Sequence, residues 1–192
     1  MARAREQFDP RAILAALERN YVDYVLIGGL AQVIRGADVT TTSVDICPSF
    51  GAGNLERLAR AAAQLAARNL DGGEVALTEA AVGEHGVISL STPAGSLRIV
   101  GSPAGAPKGY VDLRRAATKE HLGHGVQPLV ASVGDLARLA SALHRDRDVE
   151  RLPQLRQIIE LEAGRQRERP ATATPMSTPE PVARQRARRV TR

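Results

Sequence analysis

Apolar and polar positions alternate in short blocks along the chain. Asp9-Pro10 opens the first block as an N-cap acid followed by a proline whose fixed φ suits the first helical position. Ile13, Leu14 and Leu17 then mark one face of a short helix ending near Asn20. Residues 22–27 are mostly apolar and predict a buried strand, which stops at Gly28-Gly29. The pattern continues with a short helix over 30–35 and a strand over 42–47. A strongly amphipathic helix over 54–68 follows, with Leu55, Leu58, Ala62 and Leu65 on one face. A strand-rich section comes next, over 75–77, 87–90 and 97–100, with a "TPAG" turn before the last. Beyond a Gly/Pro loop the spacing predicts a helix over 110–117, a strand over 127–131 and a helix over 134–143. A final helix over 149–162 is interrupted early by Pro153. Strands and helices interleave, so the expected class is α/β or α+β with a mixed sheet flanked by helices.

Composition narrows the class. Of 192 residues, 43% are hydrophobic, 24% are charged and only 3% are aromatic, so the core must be built from Leu, Val, Ile and Ala. No apolar run reaches the roughly 18 residues a membrane span needs, and the N-terminus has no apolar segment of the kind a secretory signal carries. Cys47 is the only cysteine, which excludes an intrachain disulfide and fits a reducing cytoplasm. Residues 165–192 hold eight arginines and two glutamates, a net of +6, which leaves −1 for residues 1–164 out of the total +5. The chain therefore divides into a folded domain over 1–164 and an Arg/Pro-rich tail over 165–192. The tail has too few large apolar groups to offset its chain entropy and is expected to be disordered. Such a tail can add nucleic-acid affinity by counterion release, or it can be a solvated terminus.

The glycine pair fits two readings. One is a tight strand-to-helix turn that has no room for a Cβ; the other is a turn that lets backbone N–H groups approach a phosphate. The stretch I-G-G-L-A-Q is not a G-x-G-x-x-G dinucleotide loop, and no G-K-[ST] phosphate loop occurs. His121 and His124 in "HLGH" have no cysteine or acid cluster to complete a metal site and read as a surface loop. His85 and His144 are isolated, and Lys108 and Lys119 flank a helix, where they can contact a phosphate or, by default, be solvated.

In "IGGLAQVIRGADVTTTSVDI" a strand, Gly-Gly, a short helix and an acid-bearing strand follow one another. This order resembles the nucleotidyltransferase superfamily, and more closely the small bacterial AbiEii/MenT-like, toxin-type members. "NLERLARAAAQL", "TPAGSLRIVG", "VASVGDLARL" and "RDRDVERLP" follow in the order the family shows, so the resemblance covers roughly residues 10–160.

The resemblance implies a nucleoside triphosphate held at Gly28-Gly29 and Mg²⁺ held by acids at alternate positions of a strand, with a third acid on a neighbouring strand. Asp45 matches the second acid of the pair, whereas Ser43 stands where the first is expected and Arg98 where the third is expected. Arg147 and Asp148 match a late basic-acidic pair, Arg147 on the nucleotide and Asp148 near the catalytic centre, although Asp148 also suits an N-cap of the last helix. The family's Gly-Ser dipeptide reads Gly36-Ala37 here, the arginine after it Val39, the lysine of the penultimate helix Ala140, and a late acid Arg151. Thr41 matches a hydroxyl that is a phosphorylation site in related toxins. Two functions follow from the resemblance. One is a catalytically degenerate member that binds nucleotide, RNA or a protein partner. The other is an active toxin-type transferase that uses Mg²⁺ to move a nucleotide onto tRNA or a protein hydroxyl and is paired with an antitoxin.

Overall fold

The computed structural model describes residues 8–70, 75, 77–78, 80–82, 86–143 and 146–168, without the side chains of 146–151 and 164–168. In chain order the elements are α1 (Pro10–Arg19), β1 (Tyr24–Ile27), α2 (Gly28–Ile34), β2 (Ser43–Pro48), α3 (Ala52–Gln64), β3 (Arg68–Asn69), β4 (Val87–Thr92), β5 (Gly95–Val100), α4 (Tyr110–Leu113), β6 (Thr118–Lys119), β7 (Leu129–Val130), α5 (Val133–Leu143) and α6 (Asp146–Glu168). The strands form one seven-stranded mixed sheet in the order β3-β4-β5-β2-β1-β7-β6. β1 is antiparallel to β2 and parallel to β7, β2 is parallel to β5, and the outer pairs are antiparallel.

Local chemistry explains most of these elements. The Asp9 carboxylate accepts from the Ala12 backbone N–H at 3.1 Å, and Pro10 opens α1. The face of α1 formed by Ile13, Leu14 and Leu17 is fully buried and packs on α3, β2 and β5. β1 is buried at all four positions, which is why it reads as a continuous apolar run at the centre of the sheet. β2 and β5 instead alternate. Val44, Ile46, Leu97 and Ile99 are completely buried and in register with one another, while Ser43, Asp45 and Arg98 project from the opposite face. The "TPAG" turn closes the β4–β5 hairpin, with the Thr92 hydroxyl donating to the Gly95 carbonyl at 2.7 Å. Asn54, 4% exposed, ties the start of α3 to the sheet: its side chain accepts from the Asp23 N–H and donates to the carbonyls of Asp23 and Ser49.

Several expected elements differ. α2 begins at Gly28 itself, and α3 ends at Gln64, where Leu65 and Ala66 turn the chain into the short edge strand β3. Val75 and Leu77 are in no strand; Leu77 is a buried plug in the core, and residue 76 lies outside the described residues. α4 stops at Leu113, its one buried residue, because the exposed Arg114 and Arg115 give a longer helix nothing to pack. The strand expected over 127–131 is reduced to Leu129–Val130 and pairs with β6, which the pattern did not announce. α6 starts at Asp146 and passes through Pro153. An interior proline costs about 3 kcal/mol, and packing of the fully buried Leu155 works against that cost. Asp148 is therefore inside the first turn of α6 and does not cap it. α6 runs to Glu168, and residues 169–192, on which most of the expected tail falls, lie outside the described residues. Among the described residues no helix is long and apolar enough to cross a membrane.

Candidate functional site

β2 and β5 run parallel with Asp45 directly opposite Arg98, so the backbone register alone brings the two side chains together. Arg98 Nη1 donates to Asp45 Oδ2 at 3.1 Å, and the Ser43 hydroxyl donates to Asp45 Oδ1 at 2.8 Å. Both oxygens of the carboxylate are engaged by protein. The Asp45 side chain is 12% exposed and that of Arg98 28%, so the pair is shielded but open on one side. Their alignment follows from alternation: Ser43 and Asp45 are two apart on one strand, and Arg98 occupies the matching position on its neighbour.

Close packing leaves no room for a side chain at either glycine. Ile27 lies opposite Asp45 across β1 and β2, so the next residue of the chain passes over the Asp45 carboxylate. Gly28 has φ +69, and a Cβ there would fall 2.8 Å from Asp45 Cγ. A Cβ on Gly29 would meet Thr41 Cβ at 2.9 Å. An alanine at either position would collide with the site, and at Gly28 it would also hold a left-handed backbone. Thr41 in turn donates to the Ser43 carbonyl at 3.1 Å, fixing the loop that leads into β2.

A cavity of about 390 Å³ opens over this face. One side is polar, formed by the Thr40–Ser43 hydroxyls, Asp45, Arg98 and Ser102. The other is aliphatic, formed largely by Leu136, Leu139, Ala140 and Leu143, which share one face of α5 at helical spacing. Gln32, one turn beyond Gly28 on α2, also lines the cavity; it is 4% exposed, and its Oε1 has no partner among the described residues. The α5 wall and Gln32 were missed by sequence reading. The signal for the first was the 136/139/140/143 apolar spacing, which looks like any core-facing helix. For Gln32 the only signal was a polar residue four positions after Gly28.

Of the residues singled out in sequence, Gly28, Gly29, Ser43, Asp45 and Arg98 therefore meet in one cavity, and Ala140 and Thr41 border it. The side chains of Arg147, Asp148 and Arg151 lie outside the described residues. Lys119, His121 and His124 are exposed, and among the described residues no group of three or more His, Cys, Asp or Glu side chains is placed to hold a metal.

No family model and no curated protein matches the chain. Among solved structures the chain is similar to a candidate nucleotidyltransferase from Thermotoga maritima, at 16% identity and a TM-score of 0.43 over 81% of this chain and 88% of that one. It is also similar to the antibiotic-resistance factor ANT(2'')-Ia, at 13% identity and a TM-score of 0.49 over 81% of this chain and 89% of that one. These are similarities in the course of the chain, and the chemistry has to be argued from the cavity itself.

Proposed function

We propose that the cavity is a degenerate nucleotidyl-transfer site that binds a nucleotide without carrying out metal-assisted transfer. The observation behind this reading is the 3.1 Å contact between Arg98 and Asp45. A two-metal site needs several carboxylates facing two dications. Here Asp45, the acid that lines the cavity among the described residues, has both oxygens taken, by a hydroxyl and by a guanidinium. A guanidinium about 4 Å from a dication is repelled by roughly 8 kcal/mol at an effective dielectric of 20. The donor set does not fit a pair of Mg²⁺ ions, and no step is routed through them.

What remains is suited to binding. Arg98 uses one of its N–H groups on Asp45 and has further donors for phosphate oxygens, in a fork that needs no cation. The hydroxyls of Thr40, Thr42 and Ser43 supply neutral donors, and the aliphatic face of α5 can cover a base or a sugar. RNA or a protein partner would reach the same cavity as the carrier of that nucleotide. The alternative is an active toxin-type transferase controlled by an antitoxin. It is favoured by one feature, the position of Asp45 on β2 beside the glycine turn, and it requires Asp45 to be released from Arg98.

The two readings separate in a transfer assay with radiolabelled nucleoside triphosphates, total tRNA and total protein, with and without EDTA. The expected result is no incorporation, together with weak nucleotide binding that EDTA leaves unchanged. Mg²⁺-dependent labelling that Asp45→Ala abolishes would establish the transferase instead.

A further inference from the structure

We propose, building on the nucleotide reading above, that Asp45 limits the affinity of this site by competing with the ligand's phosphate for Arg98. The cavity thereby gains little affinity from each phosphate added to a nucleoside.

The geometry leaves Asp45 little freedom to step aside. It is 8% exposed and is held at Oδ1 by the Ser43 hydroxyl and at Oδ2 by Arg98. The Gly28 backbone lies so close that even a Cβ there would touch the carboxylate. Arg98 is tied to the same place because its backbone is in register with Asp45 on the adjacent parallel strand. A phosphate approaching the 28%-exposed guanidinium therefore comes within a few ångströms of a fixed negative charge. Among the described residues that line the cavity, Asp45 and Arg98 are the only charged ones, so the lining sums to zero. Each phosphate added to a ligand is attracted to Arg98 and repelled by Asp45 in similar measure. Affinity should then change little along the series from nucleoside to triphosphate, and what selectivity there is comes from the hydroxyl rim and the aliphatic wall.

The test is calorimetric titration of the full chain, in EDTA, with the four ribonucleosides and their mono- and triphosphates. For the unmodified protein the triphosphate should bind within about threefold of its nucleoside. Asp45→Asn keeps the size of the side chain and its bond to Ser43 but removes the charge. It should tighten triphosphate binding by about five- to tenfold relative to nucleoside binding measured in the same variant, a figure already reduced for the partial exposure of Arg98. The gain should disappear in the double variant Asp45→Asn, Arg98→Gln, which separates competition for Arg98 from a general loosening of the cavity. Asp45→Ser serves as a second neutral variant should the asparagine form melt early. Triphosphate binding that is unchanged or weaker in both neutral variants overturns the inference while leaving the nucleotide reading intact. So does a triphosphate that binds the unmodified protein more than about tenfold tighter than its nucleoside. Absence of binding by every ligand to every variant overturns the nucleotide reading, and the inference falls with it.

Discussion

Cys47 lies on β2 two residues beyond Asp45 and is completely buried, with the Gly101 carbonyl 3.8 Å from its sulfur. Burial pushes the thiol up from 9.0 to about 12, because the thiolate would lose its water without gaining a partner. Such a thiol is unreactive in the folded protein, so a thiol reagent should label the chain only as fast as it unfolds. The same shift ties stability to pH. The folded state keeps its proton to a higher pH than the unfolded state, so this contribution is complete below pH 9.0 and is lost as pH rises from 9.0 towards 12. Tyr24 adds in the same direction above pH 10.0, since burial first and then the Glu18 carboxylate beside its hydroxyl raise it. Urea denaturation at pH 8, 9.5 and 10.5 should show stability falling by up to about 1.4 kcal/mol per pH unit from the thiol alone. Cys47→Ala should lower stability throughout, through the space it leaves, but give a shallower decline. An equally steep decline in that variant would assign the alkaline loss to other groups.

Between elements, one arginine does what no strand-length pattern could announce. Arg35 caps the end of α2 and is 13% exposed. It donates through Nε to the Ala131 carbonyl, through Nη1 to Glu120, and through Nη2 to Thr118 Oγ1 and the Val130 carbonyl. β6 and β7 have two residues each, too few to hold a sheet edge by ladder bonds alone. The guanidinium stands in for the missing ladder and fixes that edge to the helix whose first turn covers Asp45. Arg35→Ala should therefore cost about 3 kcal/mol, at the low end for a buried pair because Glu120 is one-third exposed. In hydrogen exchange the loss should concentrate at residues 118–131. Uniform loss of protection across the sheet would mean that the edge is not the part Arg35 holds.

Across the whole molecule, the sheet brings three side chains from two strands to one point. Ser43, Asp45 and Arg98 are brought to one point by strand register and alternation, neither of which depends on the side chain present. The double variant Ser43→Asp, Arg98→Asp should therefore convert the point into three converging carboxylates. It should bind Mg²⁺ more tightly than the unmodified chain, as read by calorimetry. Three acids without metal repel one another, so its melting temperature should fall in EDTA and recover when Mg²⁺ is added. Failure of Mg²⁺ to restore stability would show that the three positions are not spaced to share a metal.

The sequence by itself determined the parts governed by short-range rules. The Asp9-Pro10 cap, the apolar stripe of α1, the "TPAG" hairpin and the alternation in β2 and β5 were legible because each depends on neighbours within a few residues. The mixed sheet followed from the order of these pieces. The convergence of Gly28, Asp45 and Arg98 was expected only from the resemblance to nucleotidyltransferases, since nothing in their own spacing relates residue 45 to residue 98. Tertiary structure decided what depends on contacts between distant residues. The glycine pair suits a phosphate or a turn in sequence, and only the fold shows Asp45 and Thr41 filling the space beside it while both glycines line the cavity. The aliphatic wall of α5 reads in sequence like any buried helix face, and it borders a cavity only because α5 comes to lie over β2 and α2. Two-residue strands are too short to leave a periodic signal, so β3, β6 and the Arg35 clamp could be found only once the sheet had assembled.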